Sequence, residues 1–206
     1  MQGSSGAARS AEIDKVRLAA LLALAVLAAP PAARADAGAT ARARAASERC
    51  DDADALPGQA SADRVRAATL CLMNAERGAR GLGRLRSEPA LERVADSYAS
   101  QMVRQRFFDH TSPGGSTMLS RIRATPYLHD VASWSVGENL AWGTGPLATP
   151  RATMRAWMHS AGHRANLLDP RFRDVGIGVA AGVPEQLGPG EAGGTYVTDF
   201  GRRVRS

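Results

Sequence analysis

The chain has 206 residues, a formal net charge of +6 and two cysteines. This length needs to supply only one domain, and its cysteines and histidines lack the clustered spacing of a zinc finger. The positive charge is almost entirely arginine, spread along the chain and not grouped with aromatic residues. The composition therefore argues against a nucleic-acid-binding protein.

The N-terminal segment, residues 1–37, has the pattern of an export signal. Basic residues precede an apolar run at residues 18–29, and Ala33 and Ala35 supply the small side chains of a cleavage site. A bilayer-spanning helix needs about 20 apolar residues, more than this run contains. We therefore predict a signal peptide and a secreted chain with no membrane span in its mature form. An uncleaved N-terminal anchor is the alternative.

The next stretch, residues 38–61, is rich in Ala, Gly, Arg and Asp and has no regular apolar period, so we predict a linker. The domain itself is predicted over residues 62–206. In an oxidising compartment Cys50 and Cys71 would form a disulfide that ties the linker to the first helix. Such a bridge closes a loop of about 20 residues and contributes ~3 kcal/mol, with two free thiols as the alternative.

Apolar residues recur at helical spacing in several segments of the domain. The first helix is predicted over residues 62–80, the second begins at Pro89 and the third begins at Pro150. A shorter helix is predicted over residues 116–123. Proline is favoured in the first turn of a helix, so two of these starting points are well defined.

The C-terminal part of the domain changes period. Alternating apolar and small residues predict strands at residues 175–180 and 195–200, separated by a loop rich in Gly and Pro. Residues 125–136 and 145–150 are predicted to be irregular. Helices followed by an antiparallel pair of strands favour an α+β fold or a layered α-β-α sandwich over a parallel doubly wound sheet.

Four short motifs place polar side chains beside aromatic residues and glycines. They are FFDHTSP at residues 107–113, GENLA at 137–141, AWMHSAGHRANLL at 156–168 and GTYVTDFG at 194–201. In this order they resemble the bacterial branch of the CAP superfamily, which includes plant pathogenesis-related proteins, insect venom allergens and cysteine-rich secretory proteins. The resemblance spans residues 62–201 and implies a three-layer α-β-α sandwich with a central antiparallel sheet, the CAP or SCP fold.

The resemblance also implies a central cleft, in which family members with a full site carry two histidines and two acidic residues. It maps three of these onto His110, Glu138 and His163, whereas Ser160 stands where the second glutamate is usual. Two neutral imidazoles and a carboxylate suit Zn²⁺ or a similar divalent ion, with an open position for water. A buried hydrogen-bond network without chemistry and a catalytic site are the other interpretations of this trio.

Four further residues are expected to support the cleft. Asn139, Asn166 and Tyr98 are predicted to hydrogen-bond backbone groups near the site. Trp157 is predicted to belong to the core and the cleft wall.

The incomplete acidic set favours a secreted CAP module that is not an enzyme. Its cleft is predicted to bind a divalent metal such as zinc, a lipid-like small molecule or a cell-wall component. A metal-dependent extracellular hydrolase acting on peptide or glycan is one alternative, and a protein-interaction scaffold with an idle cleft is another. We expect a monomer with no nucleic-acid partner.

Overall fold

The computed structural model describes residues 31–186 and 192–205, with a four-stranded sheet at the centre. The strands are β1 (Arg86–Ser87), β2 (Val131–Thr144), β3 (Asp174–Ala181) and β4 (Gly193–Arg205). Their order across the sheet is β1-β3-β4-β2. The short β1 is parallel to β3, and the other neighbours are antiparallel. The apolar run predicted as the core of the signal peptide lies outside the described residues.

Helices cover both faces of the sheet. They are α1 (Pro31–Ser47), α2 (Ala62–Ala79), α3 (Pro89–Gln105), α4 (Met118–Arg123), α5 (Pro150–His159) and α6 (Ala161–Leu168). Ser61 and Thr149 cap α2 and α5, because each hydroxyl accepts the amide of the residue three positions later. Pro89 and Pro150 occupy the first turns of α3 and α5, as predicted.

The layer formed by α3 lies close to the sheet at two glycines of β3. A side chain at Gly176 or Gly178 would overlap the backbone of α3, so the close approach depends on glycine at both positions. On the opposite face, α2, α5 and α6 enclose a core that includes Leu72, Trp157 and Phe200. Together these layers form the predicted α+β fold, a three-layer α-β-α sandwich.

The chain before α2 is more regular than predicted. α1 spans the end of the predicted signal peptide and the start of the predicted linker, and it packs on α2 with Ala39 and Ala43 buried. Residues four apart share one face of a helix, but two alanines give too little apolar contrast to be recognised in the sequence. A helix thus replaces the irregular structure expected here, while the domain boundaries stay predictions. The predicted disulfide between Cys50 and Cys71 is confirmed.

The largest correction concerns β2. Residues 125–136 were expected to be irregular, but β2 begins at Val131 and pairs with β4 along its whole length. Apolar and small residues alternate over 132–137, but this half of β2 is partly exposed and the alternation is short, so it is a weak signal for a strand. In the described part of the chain, no helix combines the length and apolar character needed to cross a membrane.

Candidate functional site

The site is built around Glu138, on the strand at the sheet edge. Glu138 of β2 lies directly opposite Asp199 of β4. Its side chain is only 2% exposed, because it lies on the face of the sheet that α3 covers. A carboxylate so deeply buried needs charged or hydrogen-bonding partners, because desolvation of an unpaired charge costs several kcal/mol.

Glu138 has a partner on each of its carboxylate oxygens. His110 Nδ1 lies 2.7 Å from Oε1, and an Nη of Arg121 donates to Oε2 at 2.5 Å. A carboxylate only accepts hydrogen bonds, so His110 carries its proton on Nδ1. The second imidazole nitrogen, Nε2, is then the one available to a ligand. Glu138 orients His110 and has no unbonded oxygen of its own.

Arg121 holds several parts of the site together from α4. Its side chain is only 10% exposed and lies over the ring of Tyr98, with the guanidinium carbon 3.3 Å from the ring centroid. It also donates to the backbone carbonyls of His110 and Ser116. The Tyr98 hydroxyl donates to the carbonyl of Asp109 at 2.6 Å, so both residues fix the loop that carries His110.

His163 approaches from α6, on the other side of the edge strand. Asn139 donates to the His163 carbonyl at 3.0 Å, and Asn166 bridges the Asn139 side chain and the Glu138 carbonyl. Burial lowers the pKa of His163, and the nearby His110 lowers it further. His163 is therefore a half-buried imidazole that favours its neutral form, and the two asparagines fix the position of its helix.

Asp199 is a site residue that the sequence analysis did not assign. It is fully buried beside Glu138, and apart from Glu138 no described group hydrogen-bonds to its carboxyl oxygens. Burial raises its pKa well above the usual value, and the charge of Glu138 and hydrogen bonding with Glu138 raise it further. Burial and Glu138 therefore favour the neutral acid form of Asp199. The signal was present in the sequence, since Asp199 shares the strand parity of the buried Val197.

Arg121 was also not assigned. Its sequence neighbour Ile122 is buried in the core, but arginines are abundant in this chain and nothing distinguishes this one locally. Only the tertiary contact with Tyr98 and Glu138 identifies it. Trp157 lies where it was expected, at 1% exposure, with its indole N–H donating to the Leu140 carbonyl.

Ser160 stands at the junction of α5 and α6. Its backbone amide bonds to the carbonyls of the last turn of α5, and its hydroxyl does not cap α6. The neighbouring His159 is exposed, and its Nδ1 lies 2.7 Å from the Arg155 carbonyl of its own helix. His159 therefore satisfies one ring nitrogen within α5.

The residues assigned to a metal ion do not form a ready-made metal centre. Over residues 31–186 and 192–205, no three His, Cys, Asp or Glu side chains are placed to hold one ion together. Both oxygens of Glu138 are bonded to His110 and Arg121, and a hydroxyl replaces the usual second carboxylate at Ser160. The three predicted ligands are therefore not gathered around one ion position in the described structure. The two imidazoles are the donors that remain.

The site also lacks an activated hydroxyl at the nearest serine of the histidine loop. Ser112 is buried, and its hydroxyl accepts the amide of Ser116 at 3.0 Å. A nucleophilic serine needs a general base within hydrogen-bond reach, and this hydroxyl is instead part of a turn. The arrangement can thus present two imidazoles to a ligand, one of them oriented by a buried carboxylate.

Comparison with known proteins gives a family match. Residues 70–186 match the model of CAP, the cysteine-rich secretory protein family. The chain is 32% identical to YkwD of Bacillus subtilis strain 168 over 146 residues, which are 71% of this chain and 53% of YkwD. It is 29% identical over 112 residues to the membrane protein YlbC of the same strain, covering 53% of this chain and 30% of YlbC. The chain thus spans about half the length of the first relative and less of the second.

A solved structure agrees with the fold. It is an extracellular protein containing an SCP domain from Bacillus anthracis strain Ames, and the two align with a TM-score of 0.51 and 23% identity. The alignment covers 71% of this chain and 44% of the other. At this identity the similarity supports the three-layer architecture and says nothing about a shared ligand.

Proposed function

This chain belongs to the CAP, or cysteine-rich secretory protein, family, and we propose that it is an extracytoplasmic binding module and not an enzyme. In this proposal a ligand from the cell envelope occupies the cleft and contacts His110 and His163. Glu138 orients the first imidazole and does not touch the ligand. The extracellular character of the Bacillus anthracis SCP-domain protein supports the location.

One observation carries the proposal: both oxygens of Glu138 are bonded within the protein. Arg121 and His110 each take one acceptor site on a different oxygen of Glu138, so these contacts orient the carboxylate toward the protein and favour a positioning role for it. The exposed side of the site is therefore the imidazole of His110, whose side chain is 58% exposed, and the half-buried ring of His163. Two imidazoles recognise polar groups by hydrogen bonding, and such contacts suit an amide- or hydroxyl-rich polymer fragment.

Isothermal titration calorimetry with soluble peptidoglycan fragments tests the proposal. His110→Ala and His163→Ala are each expected to weaken binding at least about tenfold, the effect of losing a bond worth about 1.4 kcal/mol. His129→Ala and His159→Ala are matched controls, because both of these histidines are exposed and outside the contacts that define the site. No binding by the parent protein, or equal losses in all four variants, would contradict the proposal.

The same variants test the metal hypothesis with zinc chloride as the probe. A zinc site formed by the two imidazoles predicts binding to the parent that disappears in the His110→Ala/His163→Ala double variant. Zinc binding that is equal in the parent and the double variant would exclude the cleft as its location.

An extracellular hydrolase acting on peptide or glycan is the second candidate. It is favoured by the contact between His110 and Glu138, since an imidazole oriented by a carboxylate is a common arrangement for a general base. It predicts that the fragments are cleaved, and that Glu138→Gln slows the cleavage at least about a hundredfold. Binding of intact fragments without cleavage would support the binding module instead.

A further inference from the structure

The outer edge of β2 leaves backbone groups unpaired near its N-terminal end. β2 is the last strand in the order β1-β3-β4-β2, so among the described residues no strand lies beyond it. Further along, the carbonyls of Glu138 and Leu140 accept side-chain donors from Asn166 and Trp157. These two helix side chains therefore satisfy the outward-facing carbonyls of Glu138 and Leu140.

The hydrogen bonds to Glu138 and Leu140 also show which backbone groups of β2 point away from β4. The N–H and C=O of one residue point to the same side of a strand, and the side alternates at each step. Because Glu138 and Leu140 direct their carbonyls away from β4, Trp134 and Val136 do so as well, as all four keep one register with β4. No described group hydrogen-bonds to the backbone of Trp134 or Val136 from outside the sheet.

This stretch lacks the features that usually prevent pairing at an edge. Exposed edges are normally protected by a charged residue, a proline or a bulge. Residues 134–137 are Trp-Ser-Val-Gly, and the register irregularity of β2 lies before them, between Val131 and Ser133. Trp134 is a large apolar side chain that is nevertheless 40% exposed. The edge thus combines unpaired amides with an apolar contact surface.

Cations without partners surround this edge. Arg123 lies over the Trp134 ring at 5.6 Å, and Arg202 of β4 is opposite Ser135. Arg123 and Arg202 are exposed, and within the described residues neither has a carboxylate within 4.0 Å. The charges at this end of the sheet therefore favour an anionic occupant.

We propose that this edge binds an extended acidic peptide as an added β-strand. The peptide backbone pairs with Trp134 and Val136, and its apolar side chains lie on the face of the Trp134 ring. Its carboxylates lie on the opposite face, on the side of Ser135 and Arg202. An added strand would lie about 4.8 Å from β2 and about 10 Å from β4, within reach of the Arg202 side chain. The proposal does not depend on the cleft or on its histidines.

Fluorescence anisotropy with three labelled octapeptides tests the proposal. The probe alternates Val and Glu, the charge control alternates Val and Lys, and the backbone control carries N-methyl groups on alternate amides of the probe. We expect the Val/Glu probe to bind, and each control to bind at least about tenfold more weakly, because each removes one of the two sources of recognition. The controls leave the protein unchanged, so a folding defect has no influence on them.

Three protein variants locate the binding surface. Trp134→Ala and the Arg123→Glu/Arg202→Glu pair are expected to weaken binding of the Val/Glu probe about tenfold, and higher salt should weaken it too. His110→Ala is expected to leave the affinity unchanged, which separates this surface from the cleft.

Several results would overturn the proposal. Equal binding of the N-methylated peptide would exclude strand addition, and equal binding of the Val/Lys peptide would exclude the acidic partner. Sedimentation that shows a dimer disrupted by Trp134→Ala would assign the edge to a second copy of the chain. No measurable binding of the Val/Glu probe at millimolar concentration would also reject the proposal.

Discussion

Replacement of Asp199 by asparagine should change how stability depends on pH. Asp199 is fully buried with no described hydrogen-bond partner other than Glu138, and both burial and the charge of Glu138 raise its pKa. The folded protein therefore keeps a proton on Asp199 that the unfolded chain releases near pH 3.9. Its stabilising contribution is complete below that pH and is lost as the pH rises through the folded pKa.

The magnitude follows from linkage. Over the window in which only the folded state keeps the proton, stability falls by about 1.4 kcal/mol for each pH unit. Between pH 5 and pH 7 the loss is at most about 2.7 kcal/mol. Asparagine has nearly the same shape and no charge to release, so Asp199→Asn should remove this slope.

Urea unfolding at pH 5, 6 and 7 measures the effect. The free energy of unfolding of Asp199→Asn, relative to the parent, should increase with pH. Asp174→Asn is the matched control, because Asp174 is also buried but accepts a hydrogen bond from the Tyr127 hydroxyl at 2.9 Å. A difference between Asp199→Asn and the parent that stays constant from pH 5 to pH 7 would refute the assignment of a protonated Asp199.

Three further predictions concern His163, Arg121 and the disulfide. An NMR titration of His163 should give a midpoint below 6.5, because burial and His110 lower its pKa, and His110→Ala should raise it; a midpoint above 6.5 would contradict this. Its lowered pKa also makes stability fall as the pH drops below 6.5. Arg121→Met should cost about 3–5 kcal/mol in urea unfolding, since it leaves Glu138 as a buried unpaired charge, and adding Glu138→Gln should recover part of the loss. Replacing both cysteines with serine should cost ~3 kcal/mol, and an unchanged urea midpoint would show that the bridge contributes no stability.

The helices that could be predicted are those with strong local signals. Caps and first-turn prolines defined the starts of α2, α3 and α5 because a helix end depends on its own neighbouring residues. β3 and β4 could be predicted because they lie in the middle of the sheet, are buried along most of their length, and alternate apolar with small or polar residues at residues 175–180 and 195–200. In each case the buried environment and the local sequence favour the same structure.

β1, β2 and α1 lack such local signals. β1 has only two residues and exists because Arg86 and Ser87 pair with β3. β2 is an edge strand whose partly exposed first half has only a short apolar alternation, so pairing with β4 determines its structure. α1 buries small alanines, which the sequence does not distinguish from those of a linker.

Some residues of the candidate site could likewise be predicted from the sequence, and others could not. The motifs identified His110, Glu138 and His163, and the structure brings the first two into contact from segments far apart in the sequence. Arg121 could not be assigned, because its role depends on tertiary contacts with Tyr98 and Glu138, whereas the strand parity of Asp199 indicated its burial but not its place beside Glu138. Arg121 changes the interpretation of the site, since together with His110 it bonds both oxygens of Glu138.

The protonation of the His110 ring tests the central claim most directly. Long-range ¹H–¹⁵N correlation spectroscopy of the histidine side chains, recorded where His110 is neutral, distinguishes the two tautomers. A Glu138 carboxylate that accepts from His110 requires the proton on Nδ1 and leaves Nε2 free for a ligand. A His110 ring with its proton on Nε2 would show that Glu138 does not orient it and would contradict this account of the cleft.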